Sequence, residues 1–388
     1  MKLFQSLLIA PAALGLLAPL TANASEFDLT EISNYSDVDS IDFTNSFNID
    51  DLNKDSLLAG GEGLMDVEDL DSHTHDGSFS ETTTASFSAD MYVGVLDDQD
   101  VGGSVYDDTV MAGYSFQIDF NTSFTGEDSL DISLDAGNAG AEGIAEFDGN
   151  SGGDTLTVDG VSYTFPLGGA TVIVGDNTDG SALFTTACAY GGPSNTLDDC
   201  ANVNAGITGG GATLGASYDF GSGFTVATGI QTSNDDVLTD ESLDSLAFNA
   251  AYTGDNYGLS VTYSEVETSS TEENTFTALN AYYTFEETSI PSISIGFETG
   301  DLGGAASGSD EQESFFIGLN WDEVGPGSAG IAAGHSNTVE GTDESYMYEA
   351  YYSYPINDGM TITPLVFTKD VSGADNTTGV MVKTSFSF

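Results

Sequence analysis

Arginine is absent from this 388-residue sequence, and only four lysines accompany 63 acidic residues, which gives a formal net charge of −59. A nucleic-acid partner is excluded, because so few cations cannot build a basic patch for phosphate contacts. The many acidic side chains repel one another, which predicts that the protein works in salty surroundings or binds cations. Intrinsic disorder is the usual alternative, but 11% aromatic residues and repeated alternating runs argue against it for most of the chain.

Long apolar runs are also missing after the N-terminus. A membrane-spanning helix needs ~20 apolar residues, so a chain of this kind can enter a membrane only as a β-barrel. At the N-terminus, Lys2 precedes an apolar stretch over 7–20, and Ala22-Asn23-Ala24 has the small-x-small form of a cleavage site. This pattern predicts a secretory signal peptide over residues 1–24, with an N-terminal membrane anchor as the alternative.

Cysteine is scarce, since the sequence contains only Cys188 and Cys200, 12 positions apart. In an exported chain this spacing predicts a disulfide that closes a small loop, and a pair of idle thiols is the alternative.

Histidine is scarce as well, with three residues in the whole sequence. His73 and His75, in the stretch DSHTHD, are weak candidates for a transition-metal site, but a solvated acidic linker explains them better. His335 is interpreted as a structural or girdle histidine of the barrel. The sequence shows no recognisable arrangement of a nucleophile with His335, so an outer-membrane hydrolase is disfavoured. We therefore predict no enzymatic activity.

Strict alternation of apolar and polar residues is what the sequence has in abundance. In YSFQIDFNTSF, residues 114–124, one face carries Phe116, Ile118 and Phe120 while Asp119 lies on the other. Sixteen such runs follow residue 84. They are separated by connections that are alternately short and long, which is typical of an outer-membrane barrel. The expected fold is all-β: a transmembrane antiparallel β-barrel of about 16 strands over 81–388, after a short acidic periplasmic segment over 25–80. A soluble β-sandwich is the alternative.

Several segments resemble a known family. They are MKLFQSLLIAPAALGLLAP at the start, NTSFTGEDSLDISLDAGN at 121–138, LTVDGVSYTFPLGGATVIVGDN at 156–177 and TGVMVKTSFSF at the end. They are similar to porins of cyanobacterial outer membranes, of the iron-uptake type, and more distantly to carbohydrate-selective porins. The final strand, with Phe386 and the terminal Phe388, looks like the signal read by barrel assembly.

The resemblance implies a passive channel for small hydrophilic solutes and inorganic ions, embedded in outer-membrane lipid of a Gram-negative-type cell and forming a homotrimer. Among these ions, inorganic cations are the expected partners because of the acids described below. Two departures stand out. An S-layer-homology module is reduced to the faint echo NYSDVDS, and the arginines that porins commonly set across the constriction are absent.

The longest connection, about 177–210, follows the fifth predicted strand and contains both cysteines. By the resemblance this loop folds into the lumen and narrows it, bringing the acids Asp176, Asp179, Asp198 and Asp199 with it. An outward surface loop with solvated acids is the alternative.

By strand phase, the lumen-facing acids are Asp90, Asp119, Asp131, Asp135, Glu298 and Glu349. Carboxylate rings in a pore favour cations, so we expect a cation-favouring porin. An uptake channel tuned to iron or another metal cation and, from another class, a soluble or surface-attached acidic β structural protein remain alternatives. No dedicated cofactor is expected, although loosely held Ca²⁺ or Mg²⁺ would suit the carboxylates of the acidic loops.

Overall fold

The computed structural model describes residues 83–97, 100–101, 104–105, 109–139, 145–147, 149–150, 152–233, 243–269, 271–371 and 376–388. The predicted signal peptide, the acidic segment over 25–80 and the candidate metal ligands His73 and His75 lie outside these residues. Within the described ranges, no helix has the length and apolar character needed to cross a membrane.

Antiparallel strands account for nearly all of the described secondary structure. Two short strands, β2 (Asp100–Val101) and β3 (Ser104–Val105), pair with each other, and Ala145–Phe147 form a single 3-10 turn. The remaining strands are β1 (Thr83–Asp97), β4 (Val110–Thr122), β5 (Ser129–Gly137), β6 (Thr157–Leu167), β7 (Ala170–Asp176), β8 (Ala212–Gly221), β9 (Phe224–Thr232), β10 (Asp244–Thr253), β11 (Tyr257–Ser269), β12 (Glu272–Tyr283), β13 (Ser292–Leu302), β14 (Glu311–Val324), β15 (Gly327–Val339), β16 (Met347–Asn357), β17 (Met360–Lys369) and β18 (Thr377–Ser387).

These sixteen strands form one closed barrel in which each strand pairs with its neighbours in sequence. Closure is made by β1, whose Val93 lies opposite Ala112 of β4 on one side and Val382 of β18 on the other. A closed barrel leaves no strand edge unpaired. The predicted sixteen-stranded antiparallel barrel is therefore confirmed.

The wall has two faces that follow the alternation of the sequence. On β13, Ser294 and Glu298 are buried inside the barrel, whereas Ile293, Ile295 and Phe297 are exposed on its outside. The face of β4 that carries Phe116 and Phe120 is likewise the outer one. The outside is thus a band of large apolar side chains, as a barrel surrounded by lipid requires.

Aromatic side chains gather at the end of the barrel where the short turns lie, which we call the short-turn rim. Neighbouring rings there pack in pairs on the outer face, as in an aromatic girdle at a membrane interface. The pairs are Phe87–Phe388, Phe124–Tyr163, Tyr163–Phe165, Tyr218–Phe220, Phe224–Tyr252, Tyr252–Tyr257, Tyr283–Phe285 and Tyr352–Tyr354. The opposite end, with the connections 177–211, 303–310 and 340–346, is the long-loop rim.

Candidate functional site in the barrel lumen

The connection 177–211 between β7 and β8, which we call the inner loop, lies inside the barrel. Its outgoing limb crosses the inner wall by donating backbone N–H groups to wall side chains. Thr185 donates to Asn249 Oδ1 of β10 at 3.1 Å. Ala187 donates to Ser260 Oγ of β11 at 2.9 Å, and Ala189 donates to Ser294 Oγ of β13 at 2.8 Å. Every second residue is therefore fixed, so this limb runs across the wall like an extended strand.

The returning limb is fixed by a buried carboxylate. The side chain of Glu298, 1% exposed, accepts hydrogen bonds from Asn204 N, Asn204 Nδ2 and Ala205 N at 2.8, 2.7 and 2.8 Å. The predicted disulfide between Cys188 and Cys200 is confirmed, and it joins the two limbs. The inner loop is thus stapled to itself and anchored to one side of the wall.

Two wall glycines allow the inner loop to approach the backbone of the barrel. A Cβ on Gly296 would overlap the carbonyl oxygen of Cys200, and a Cβ on Gly229 would overlap that of Gly180. Asn280, opposite Gly296 on the neighbouring strand, donates to the same Cys200 oxygen at 2.7 Å. Any larger residue at position 296 would therefore push the Cys200 carbonyl group away from its donor, Asn280.

The tip of the inner loop packs through an aromatic residue. The Tyr190 ring lies 5.2 Å from that of Phe316 and 5.8 Å from that of Tyr351, measured between centroids. Its hydroxyl donates to Glu349 Oε1 at 2.6 Å, and burial raises the pKa of this tyrosine. Glu349, only 4% exposed, thereby fixes the tip as Glu298 fixes the returning limb.

One ion pair joins the inner loop, the 3-10 turn and the wall. Lys369 Nζ of β17 lies 2.8 Å from Glu146 Oε1 and donates to Thr196 Oγ1 at 2.9 Å, while Thr196 donates to Glu146 Oε2 at 2.7 Å. The second barrel lysine, Lys383 of β18, lies opposite Tyr92, whose side chain is buried inside the barrel. Both lysines of the barrel therefore belong to the inner face.

The opposite part of the inner wall carries half-buried acids on adjacent strands. Asp119 accepts from Ser133 Oγ and Gln117 Nε2, both at 2.7 Å. Asp131 accepts from Asn121 Nδ2 at 2.6 Å and Ser129 Oγ at 2.7 Å. These donors are uncharged, so they orient the carboxylates without neutralising them.

Two further predicted acids belong to the same part of the wall. Asp135 accepts from Thr157 Oγ1 at 2.7 Å and also from Asn150 Nδ2. Asp90 accepts from Tyr92 OH at 3.3 Å. We call Asp90, Asp119, Asp131 and Asp135 the acidic wall.

A cavity of about 290 Å³ lies between the acidic wall and the start of the inner loop. Asp131 and Asp179 line this cavity, and both are predicted lumen acids. Asp159 of β6 lines it as well, although the sequence does not predict a lumen position for it. The register of β5 against β6 shifts between Ser133 and Leu134, and this β-bulge breaks the alternation at Asp159. No pattern in the sequence marks that bulge.

Four of the predicted acids lie in other surroundings than expected. Glu298 and Glu349 are on the inner face, but the inner loop covers them, so they anchor the loop instead of facing the open lumen.

Asp176 is exposed at the end of β7, opposite Val161, which places it in the phase of the outer face. Burial, together with the charge of Asp198, raises the pKa of half-buried Asp199 to about 7, so its charge is incomplete near neutral pH. Asp198 itself is exposed.

The C-terminus completes the closing strand. Phe388 exchanges two backbone hydrogen bonds with Phe87, both at 3.0 Å, and its side chain is 80% exposed. Phe386 lies opposite Ala89 in the phase of the outer face. Both aromatic residues of the predicted assembly signal thus lie at the short-turn rim.

No family model matches the sequence, and no curated protein matches it. Solved structures do match, among them engineered mutants of the porin of Rhodopseudomonas blastica. One aligns with a TM-score of 0.57 and 16% identity, covering 79% of this chain and 100% of that chain. A second aligns with a TM-score of 0.56 and 15% identity, over the same shares of both chains. At this identity the likeness shows the fold, a porin-like sixteen-stranded barrel.

Proposed function

We propose that this protein is an outer-membrane porin that lets small hydrophilic solutes and inorganic ions diffuse passively and favours cations. The observation that carries the proposal is the inner loop, which is stapled by Cys188–Cys200 and hydrogen-bonded across one side of the inner wall. A loop fixed there narrows the lumen and leaves a passage along the acidic wall. The arrangement supports a channel and offers no catalytic constellation among the described residues.

The cation preference follows from the charges beside this passage. Asp119 and Asp131 are held by uncharged donors, and Asp179 adds a carboxylate from the inner loop. Cations gain attraction to such a wall, whereas anions meet repulsion, and the low-dielectric surroundings of a narrow passage strengthen both effects.

The apolar outer face argues against the soluble acidic protein. Side chains such as Leu259, Ile295 and Val366 project outward and are exposed, and aromatic side chains continue this apolar surface at the short-turn rim. A soluble protein does not expose a continuous apolar band around its circumference. Lipid of an outer membrane is the surrounding that suits it.

The sequence resemblance supports further parts of the proposal. It favours a member of the cyanobacterial porin family and a homotrimer, while the residue pattern and the acidic composition favour a signal peptide over 1–24 and a separate periplasmic segment over 25–80. It also keeps uptake of iron or another metal cation as a second candidate function. The cavity lined by Asp131, Asp159 and Asp179 favours that candidate, because carboxylate oxygens are ligands for hard cations.

A planar-bilayer recording under a KCl gradient tests the main proposal. We expect ion-conducting channels with a cation-favouring reversal potential, and a preference that weakens as salt rises, because screening shortens the reach of the carboxylates. Correctly inserted protein that conducts no ions would contradict the porin function. An anion-selective channel would contradict only the role of the acidic wall. Block of the K⁺ current by added Fe²⁺ would favour the metal-uptake candidate.

A further inference from the structure

A histidine and two glutamates meet at the long-loop rim, away from the lumen. They are Glu313 of β14, His335 of β15 and Glu344 in the connection 340–346. One ring nitrogen and one carboxylate oxygen from each glutamate all lie within 4.8 Å of one another. We propose that these three residues, the rim triad, bind a divalent transition-metal ion of the Zn²⁺ type.

A β-bulge beside the triad positions the hydrogen-bond partner of its histidine. Phe315 lies opposite His335, but the next outward residue of β14, Glu313, lies opposite Thr338, because the register shifts between the two pairs. Asn337 accommodates the extra residue in a left-handed conformation, with φ of 57°. Bulges of this kind re-aim side chains. Here the bulge places Thr338 opposite Glu313 on the outer face, within reach of His335, while His335 and Glu313 share that face through the ordinary alternation of their strands.

The histidine has the surroundings of a metal ligand. It is 4% exposed, and its Nδ1 lies 2.8 Å from Thr338 Oγ1. The Nε2 atom makes no hydrogen bond to any described residue, so it is the nitrogen left for a ligand. Fixing one ring nitrogen by a hydrogen bond sets the orientation and tautomer with which the other binds a metal.

The ring is also held in place by aromatic neighbours. Its centroid lies 4.9 Å from that of Tyr346, with the planes at 77°, and 6.4 Å from that of Phe315. The imidazole therefore needs little rearrangement on binding, and most of the required movement falls to the two exposed glutamates.

The charge around the triad favours cations. An adjoining cavity of about 230 Å³ is lined by four glutamates, Glu311, Glu313, Glu340 and Glu344. The ion pair found among the described residues joins Lys369 and Glu146, so no described lysine neutralises this group. Such a cluster raises the local concentration of cations.

The donor set selects a class of metal. One imidazole and two carboxylates suit Zn²⁺, Cu²⁺ or Fe²⁺, whereas Ca²⁺ and Mg²⁺ prefer oxygen ligands throughout. Bonds of about 2.1 Å to a tetrahedral ion place donor atoms about 3.4 Å apart. The glutamate oxygens must therefore close in by about 1.4 Å at most, which side-chain rotation supplies.

Zinc titration of the mature full-length protein in detergent tests the proposal, with excess Mg²⁺ present to occupy sites made of oxygen alone. Because His73 and His75 could also bind zinc, the background protein carries His73→Asn and His75→Asn, which leaves His335 as its one histidine. We expect one tight Zn²⁺ site in this background. Its affinity should fall about tenfold or more in Glu313→Gln, in Glu344→Gln and in His335→Gln.

Glu311→Gln and Glu340→Gln are matched controls, because they remove equal charge from the same cavity without removing a triad ligand. Affinity should change by less than about twofold in these controls. Equal losses in triad and control variants would overturn the proposal in favour of diffuse binding by acids. Heat-modifiable gel mobility verifies that each variant still forms the barrel.

A second measurement does not depend on the folding of the His335 variant. With Cu²⁺ as the probe, electron paramagnetic resonance of the single-histidine background should show coupling to one imidazole nitrogen. Thr338→Ala should weaken Cu²⁺ binding about tenfold, because the ring loses its orienting contact. A spectrum without nitrogen coupling, from folded protein, would overturn the site.

Discussion

The two sides of the inner wall use carboxylates in opposite ways. On the side covered by the inner loop, Glu298 and Glu349 are buried and accept hydrogen bonds from the loop. On the acidic wall, Asp119 and Asp131 stay half-buried and accept only from uncharged side chains of the wall itself. A carboxylate acts as an anchor where loop donors reach it and as a fixed charge where the wall faces water.

The position of the inner loop explains this asymmetry. Its outgoing limb follows the hydroxyl and amide acceptors of Asn249, Ser260 and Ser294. Gly229 leaves room for the outgoing limb at Gly180, and Gly296 leaves room for the returning limb at Cys200. The acidic wall offers no comparable row of acceptors, because its hydroxyl and amide groups already donate hydrogen bonds to the aspartates. The loop therefore covers one side and leaves the acidic wall uncovered.

Neutralising the acidic wall should have the largest effect. Asp119→Asn, Asp131→Asn and Asp135→Asn together should lower the K⁺ to Cl⁻ permeability ratio by about two- to threefold per carboxylate at low salt. Reversal potentials in planar bilayers measure this change. The matched control neutralises Asp255, Glu286 and Glu287, which are exposed at the short-turn rim. Equal effects of the two triple variants would show that the overall charge, and not the acidic wall, sets selectivity.

Removing an anchor should disturb the loop without opening the barrel. Glu298→Ala removes the acceptor of the Asn204 and Ala205 backbone N–H groups, and the buried Ala205 N–H left unpaired costs about 1–3 kcal/mol. We expect noisier single-channel currents and unchanged heat-modifiable mobility, because no strand pairing depends on this side chain. Glu273→Ala, at an exposed position of β12, is the control. A current as quiet as that of the wild type would mean that the disulfide and the outgoing limb hold the loop alone.

The contrast between the two sides also separates what the sequence can predict from what it cannot. Strand positions and the inward orientation of Asp119 and Asp131 follow from the alternation of apolar and polar residues with a period of two, which runs along the whole length of each strand. The burial of Glu298 depends on which side the inner loop covers, and that choice rests on contacts between residues far apart in the chain. Asp159 and Thr338, the hydrogen-bond partner of His335, owe their positions to β-bulges, which break the period locally.

A pH dependence of the inner loop should follow from Asp199. Burial and the neighbouring Asp198 raise its pKa to about 7, well above the ordinary aspartate value. The packed loop therefore binds this proton more tightly than the released loop does. Its packing should be most stable in acid, weaken as the pH rises from about 4 to about 7, and stay constant above that.

Single-channel noise measured across this range checks the prediction. Wild-type noise should increase up to neutral pH and then level off, whereas Asp199→Asn should stay quiet throughout. Asp198→Asn removes the neighbouring charge, so the levelling should occur at lower pH. Identical profiles of the wild type and Asp199→Asn would assign the dependence to other groups.

The smallest effect concerns a lysine that interrupts the acidic side. Lys383 of β18 lies opposite Tyr92 on β1, two residues from Asp90, and its side chain belongs to the inner face. Removing this positive charge in Lys383→Met should raise the K⁺ to Cl⁻ permeability ratio by about twofold at low salt. The effect should vanish near 1 M KCl, where the Debye length is only about 3 Å.

Lys369→Met is the comparison, because Lys369 is already paired with Glu146. Loss of Lys369 should change selectivity less than loss of Lys383 and should raise current noise more. If Lys383→Met left the reversal potential unchanged at low salt, ions would pass beyond the reach of β18 and closer to the cavity at Asp131.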